Sequence, residues 1–61
     1  MRWNTEESPN ENEDVVIRLW YGDNKYRYTI VNYHDGLFHG DDYFVPMTIE
    51  ETDGWSSLDE E

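Results

Sequence analysis

The apolar positions of this chain fall in short runs that alternate with polar ones at a period of two, the spacing of a half-buried strand. Nowhere do they recur at three or four, the spacing of a helix. Residues 14–20, DVVIRLW, are rich in β-branched side chains and are bounded by acids before and by YGDN after, which predicts a first strand. Alternation sends Val15, Ile17 and Leu19 to one face and Val16, Arg18 and Trp20 to the other, and the first set is the expected core face. Gly22, Asp23 and Asn24 tolerate positive φ, so a tight hairpin leads into a second strand over residues 25–33. In that strand Tyr26, Tyr28 and Ile30 oppose Lys25, Arg27, Thr29 and Val31. Both of its faces are partly apolar, so the second face calls for a cover, supplied by the N-terminal segment or by a second copy.

His34, Asp35 and Gly36 repeat the turn signal, with Asp-Gly suited to a type I′ turn, and lead into a short third strand over residues 37–39. Gly40, Asp41 and Asp42 break it. Residues 43–49, YFVPMTI, read as a fourth strand at a sheet edge, because Pro46 has no amide to give to a ladder. Thr52, Asp53 and Gly54 turn the chain again, and residues 55–58 make a last short pairing. The expected fold is mostly β: a small antiparallel meander of about four strands with an extended acidic N-terminal arm.

At 61 residues there is room for one domain, read as an acidic arm over residues 1–13 and a single small β domain over 14–61. A chain this short buries roughly 60% of the surface its unfolded form exposes, so its core is thin. There is no cysteine, hence no disulfide framework, and stability falls to the ten aromatic side chains or to self-association. Residues 4–14, NTEESPNENED, hold five acids, a proline and no apolar side chain, a composition with little to bury against its ordering entropy. Trp3, just before it, is positioned to fold back on the sheet.

Charge changes the picture from fold to partner. Fifteen acids against four bases give a formal charge of −11. Solubility accounts for some of this, but a small domain is ordinarily kept soluble by a net charge of magnitude about 2–8. The surplus points to a positively charged partner. Direct binding to nucleic acid or to an anionic membrane is excluded, because Arg2, Arg18, Lys25 and Arg27 are too few and too scattered to neutralise a row of phosphates. The start, MRWNTEESPNENED, has no apolar run of a signal or anchor, so a cytoplasmic protein is expected.

Candidate chemistry is sparse. His34, Asp35, His39, Asp41 and Asp42 crowd into nine residues, yet zinc wants three or four nitrogen or sulfur ligands in a tetrahedron. The two histidines, five residues apart, are expected at opposite ends of a short strand and on opposite faces. Nor do oxygen ligands recur as in a calcium loop. No metal and no cofactor is expected. Ser8, Ser56 and Ser57 have no neighbouring histidine to act as base, and a sheet this small offers no apolar pocket to raise a carboxyl pKa. The chain is read as non-enzymatic.

The acids are then the informative residues. Glu6, Glu7, Glu11, Glu13 and Asp14 lie in the arm; Asp35, Asp41, Asp42, Glu50, Glu51 and Asp53 lie in loops; Asp59, Glu60 and Glu61 close the chain. On extended backbone, residues two apart sit ~6.6–6.8 Å from each other, comparable to the spacing of successive phosphates. Pairs such as Glu11 with Glu13, or Glu51 with Asp53, would meet arginines built to hold a nucleic-acid backbone. Trp20, Tyr21, Tyr33 and Tyr43 are candidate aromatic anchors for such an interface, unless core packing takes them.

In order along the chain, Trp3, Glu7-x-Pro9, Val15-Val16-Ile17, Tyr33-His34-Asp35-Gly36-x-Phe38 and a late Trp55 resemble a family of small prophage-encoded proteins of uncharacterised function. Where that family ends in a proline-rich stretch, this chain has Ser56-Ser57-Leu58-Asp59. The resemblance implies a phage origin, a compact β fold and no assigned activity; small acidic phage proteins are often counter-defence inhibitors. The expectation is therefore a non-enzymatic inhibitor of a basic host protein that binds nucleic acid: a defence nuclease, a CRISPR effector, a restriction enzyme or a polymerase. The alternative is a structural or assembly module that self-associates through its sheet, with acidity serving solubility. A monomer at low salt is expected, and at most a weak homodimer at higher salt through Val31 and Tyr33, with Trp20 across from them.

Overall fold

The structure, a computed structural model, describes residues 2–58. Its single sheet is antiparallel and has four strands: β1 (Glu13–Gly22), β2 (Lys25–His34), β3 (Leu37–His39) and β4 (Trp55–Ser57), in the spatial order β3-β2-β1-β4. The first three strands meander, and the chain then crosses back to lay β4 on the free edge of β1. The acidic end over residues 59–61 lies outside the described residues.

Both hairpins form where local chemistry asks for them. Asp23 and Asn24 take φ of 56° and 59°, and Asp35 and Gly36 take 57° and 77°. Positive φ at both central residues is what a two-residue type I′ turn requires, and its twist matches that of the strands it joins. The first hairpin sets Val15 opposite Val31 and Ile17 opposite Thr29, and slips by one residue between Trp20 and Gly22. One face of β1 and β2 thereby gathers Val15, Ile17 and Val31. Phe38 joins them from β3 and Trp55 from β4, making the buried core, with Leu19, Tyr33, Phe44, Met47 and Ile49 packed around it. Each fully buried side chain of this kind contributes about 1.5–3 kcal/mol.

Three expectations need correction. Residues 43–49 are not a strand: the sole ladder contact there is a bridge in which Phe38 and Met47 exchange backbone bonds of 2.8 and 3.2 Å. The chain curls at residues 41–44 instead, where Tyr43 N–H bonds the Asp41 carboxylate at 3.0 Å and Phe44 N–H bonds the Asp41 carbonyl at 3.0 Å. That curl lays Phe44 on Gly40 so closely that a Cβ at Gly40 would stand 2.6 Å from the ring. The fourth strand is Trp55–Ser57, on the opposite edge. Second, Val31 is buried and Tyr33 half-buried on the core face, while Trp20 lies on the other, so the three do not share the one contact surface expected of them. Trp20, on the other face, pairs with Tyr26.

The third correction concerns His34 and His39, whose rings stack at 3.8 Å with 9° between planes. The hairpin turn reverses the chain, so register rather than sequence parity decides the face. His39 opposes Asn32, and Asn32 shares a face with His34 two residues on.

The arm is not loose. Asn4 and Trp55 exchange backbone bonds of 2.8 and 3.0 Å, Trp55 Nε1 donates to the Glu7 carbonyl at 2.7 Å, and Pro9 is buried. The segment has few apolar atoms of its own to bury, but it supplies carbonyls and amides that the short β4 and its indole need. Trp3 folds back on the sheet as expected, 5.7 Å from the Tyr28 ring. Strand β1 begins at Glu13, inside what the sequence read as arm.

Candidate acidic interface

The carboxylates divide by what they already do. Glu13 accepts from the Asn10 amide at 2.9 Å and the Ser57 hydroxyl at 3.2 Å; Asp14 accepts from the Asn32 side-chain amide at 2.9 Å. Glu11 accepts from the Asp35 amide at 3.3 Å, Glu51 from the Thr48 amide at 2.8 Å, and Asp53 from the Trp20 amide at 2.7 Å. With Asp41, six of the eleven candidate acids thus satisfy backbone or side-chain donors near turns and strand ends, where amides lack ladder partners. Among the described residues, Glu6, Glu7, Asp35, Asp42 and Glu50 have no such bond.

Neither Glu11 with Glu13 nor Glu51 with Asp53 sits on extended backbone. Asn12, between Glu11 and Glu13, has φ of 64°, so the backbone there turns rather than extends. Glu51 ends a one-turn 3-10 helix, Ile49–Glu51, and Asp53 follows in a further bend. Backbone that turns cannot hold the strand rise on which the phosphate-like repeat depended.

Geometry instead brings Glu6 and Glu50 together. A cleft of about 510 Å³ opens between the arm and the 3-10 turn, walled by Thr5, Glu6 and Ser8 on one side, Thr48, Ile49 and Glu50 on another, and Gly36 at its end. Asp35 stands one residue from that wall, and Glu11 is tied to it. A shallower cleft of about 310 Å³ is the inside of a bend in the arm, lined by residues 2–7 alone. The first is the better built, since three separate segments make its walls. It sets two exposed carboxylates beside the aliphatic side chain of Ile49, a pairing that suits the stem and head of a lysine or arginine.

Of the four bases, Arg2 lines the shallower cleft with Glu6 and Glu7, and the other three lie elsewhere. Arg18, Lys25 and Arg27 belong to β1 and β2. The Arg18 guanidinium lies 5.0 Å from the Trp3 ring and 4.6 Å from the Tyr26 ring, and its Nε donates to the Asp53 carbonyl at 2.7 Å; Arg27 lies 5.9 Å from the Tyr21 ring. Of the aromatic candidates, Trp20, Tyr21 and Tyr43 are exposed and Tyr33 belongs to the core rim. Sequence reasoning missed Tyr28 and Ile30, both exposed.

The stacked histidines are held by a polar row across the sheet. The His34 ring bonds Asn32 Oδ1 at 2.7 Å and the His39 ring bonds the His34 carbonyl at 3.2 Å. Both acceptors are carbonyl oxygens, so the donors are His34 Nδ1–H and His39 Nε2–H. Among the described residues no three histidine or carboxylate side chains converge as metal ligands, and no helix is long and apolar enough to cross a membrane. Comparison with known protein families, curated proteins and solved structures finds no match for this chain.

Proposed function

We propose that this protein is a non-enzymatic inhibitor, of the phage counter-defence kind, that occupies a basic nucleic-acid-binding surface of a host protein. The observation that carries this reading is the acidic cleft: Glu6 and Glu50 both line it, neither with a hydrogen bond among the described residues, and Asp35 and Glu11 stand beside it. Carboxylates without internal hydrogen bonds keep all of their acceptor positions for an arginine or lysine of another protein. Glu7, next to Glu6 in the arm, is also unbonded among the described residues, as is Asp42 in the curl after β3. Defence nucleases, CRISPR effectors, restriction enzymes and polymerases all hold nucleic acid with such cations, and these are the partners proposed. Acids then act as phosphates do, by charge and position, without chemistry.

Opposite fields steer encounter and are screened by salt, so affinity should fall with ionic strength. The test is capture of partners from a bacterial host lysate on the tagged full chain, with washes of rising salt. The expected outcome is recovery of nucleic-acid-binding enzymes that elute as salt rises above about 0.15 M, where the Debye length is ~8 Å. Reversing Glu6, Asp35 and Glu50 to lysine should cut recovery by about tenfold or more. Recovery indifferent to both salt and the triple reversal would overturn the reading.

A further inference from the structure

The sheet's two faces meet different fates. One is core. The other carries three consecutive cross-strand pairs, Val16 with Ile30, Arg18 with Tyr28, and Trp20 with Tyr26. An antiparallel sheet with one solvated face normally reads polar on that side, yet here aromatic and aliphatic residues fill most of the outward positions. Trp20 remains 48% exposed, Tyr28 59% and Ile30 65%. A single exposed apolar residue needs no explanation, but three adjoining pairs form one patch, and such a patch on a small soluble chain is often a binding site.

Its side chains are already ordered. The Trp20 and Tyr26 rings meet edge-on at 5.3 Å, Trp3 packs on Tyr28 from the arm, and Arg18 is held between Trp3 and Tyr26. Rings held this way lose little rotamer freedom on docking, which is what makes aromatic anchors effective. The charge layout frames the patch. Between residues 15 and 34 the sequence has a single acid, Asp23, in the hairpin turn, and three bases, of which Arg18 shares this face while Lys25 and Arg27 alternate to the other. The next carboxylates are Asp14, on the same face at the far end of β1, and Asp53, bonded to the Trp20 amide along the β4 edge. An apolar, arginine-containing centre inside a carboxylate rim is the layout of a protein interface.

The rim decides the occupant. A second copy would set Asp14, Asp23 and Asp53 of one −11 body near the same residues of another, inside a Debye length. Like charges brought that close oppose a homodimer through this face. Single-stranded nucleic acid could stack on the rings, but its phosphates would meet the same rim. A protein surface with an apolar centre bordered by lysine or arginine satisfies both parts at once.

We infer that this face, centred on Trp20, Tyr28 and Ile30, docks a protein partner whose surface is apolar at its centre and cationic at its border. The inference goes beyond the acidic cleft and does not depend on it. Two synthetic probes of equal length and charge test it: an amphipathic peptide of leucine and lysine, and oligolysine. The full chain should bind the amphipathic peptide about tenfold more tightly, with a blue shift of tryptophan emission; tenfold is 1.4 kcal/mol. The double variant Tyr28→Ser, Ile30→Ser should erase that preference, and Trp20→Ser provides a second route should the double variant fold poorly. Glu6→Gln with Glu50→Gln should leave the preference intact, so that a failure of the cleft reading and a failure of this one are told apart. Equal affinity for the two peptides, or a preference that survives both face variants, would overturn the inference. So would a dimer in sedimentation that Tyr28→Ser and Ile30→Ser disperse, or tryptophan quenching by a single-stranded oligonucleotide that exceeds the effect of the peptide.

Discussion

Gly54 sits where three segments meet. Its φ is +124°, and a Cβ there would stand 3.2 Å from Trp3 Cβ and 3.4 Å from the Asn4 carbonyl oxygen, with Arg18 Nε at 3.6 Å. Alanine would combine a backbone conformation that L-residues rarely adopt with pressure on the arm crossing above it. Gly54→Ala should therefore lower stability by about 1–3 kcal/mol, seen as a lower urea midpoint at unchanged slope. A midpoint equal to that of the wild type would mean that the arm yields without cost. The sequence marked Gly54 as part of a turn, and it follows the bend at Thr52 and Asp53, but the reason no other residue fits comes from Trp3 and Asn4, some fifty residues away. The histidine stack was illegible for a similar reason. Counting five residues along one strand predicts opposite faces, and only the pairing of Asn32 with His39 shows that the turn resets the count.

Elements with local causes were legible. Asp23-Asn24 and Asp35-Gly36 declare their turns through residues that accept positive φ, and the strands between them follow from alternation. Residues 43–49 declare β propensity just as clearly and yet make one bridge, because Pro46 and the curl at Asp41 leave no ladder to join. The arm went the other way. Its polar composition promises little order, but β4 is three residues long and draws its outer partner from Asn4. Hydrogen exchange should find the Asn4 and Trp55 amides slowed well beyond free-peptide rates, in the same cooperative unit as β1. An Asn4 amide exchanging as in an unfolded chain would show that the arm detaches and that β4 holds without it.

For the molecule as a whole, charge sets the conditions of stability. The described residues span 33 × 29 × 18 Å, so at about 0.01 M salt, where the Debye length is ~30 Å, acids on opposite sides still repel one another. At about 0.15 M the length falls to ~8 Å and only neighbours interact. Thermal stability should accordingly rise by several degrees over that range, since the unfolded chain spreads the same charge more widely. A melting temperature independent of salt would show that the repulsion is relieved locally, by turn donors such as those on Glu13 and Asp53.

The first three strands, the hairpin turns, the core face of β1 and the acidic surplus were all set by the sequence, because each follows from the chemistry of residues adjacent or two apart. Which carboxylates are spent on backbone donors, and that Glu6 and Glu50 share a cleft, depended on where the arm and the 3-10 turn come to rest. The open aromatic face is a tertiary result as well. Both faces of β2 carry apolar side chains, and the core formed on the side of Val31 because Phe38, Met47, Ile49 and Trp55 could all be brought there. A chain of this length can cover one side of its sheet, and the covering segments follow β2, so their choice of side left Trp20, Tyr28 and Ile30 to water.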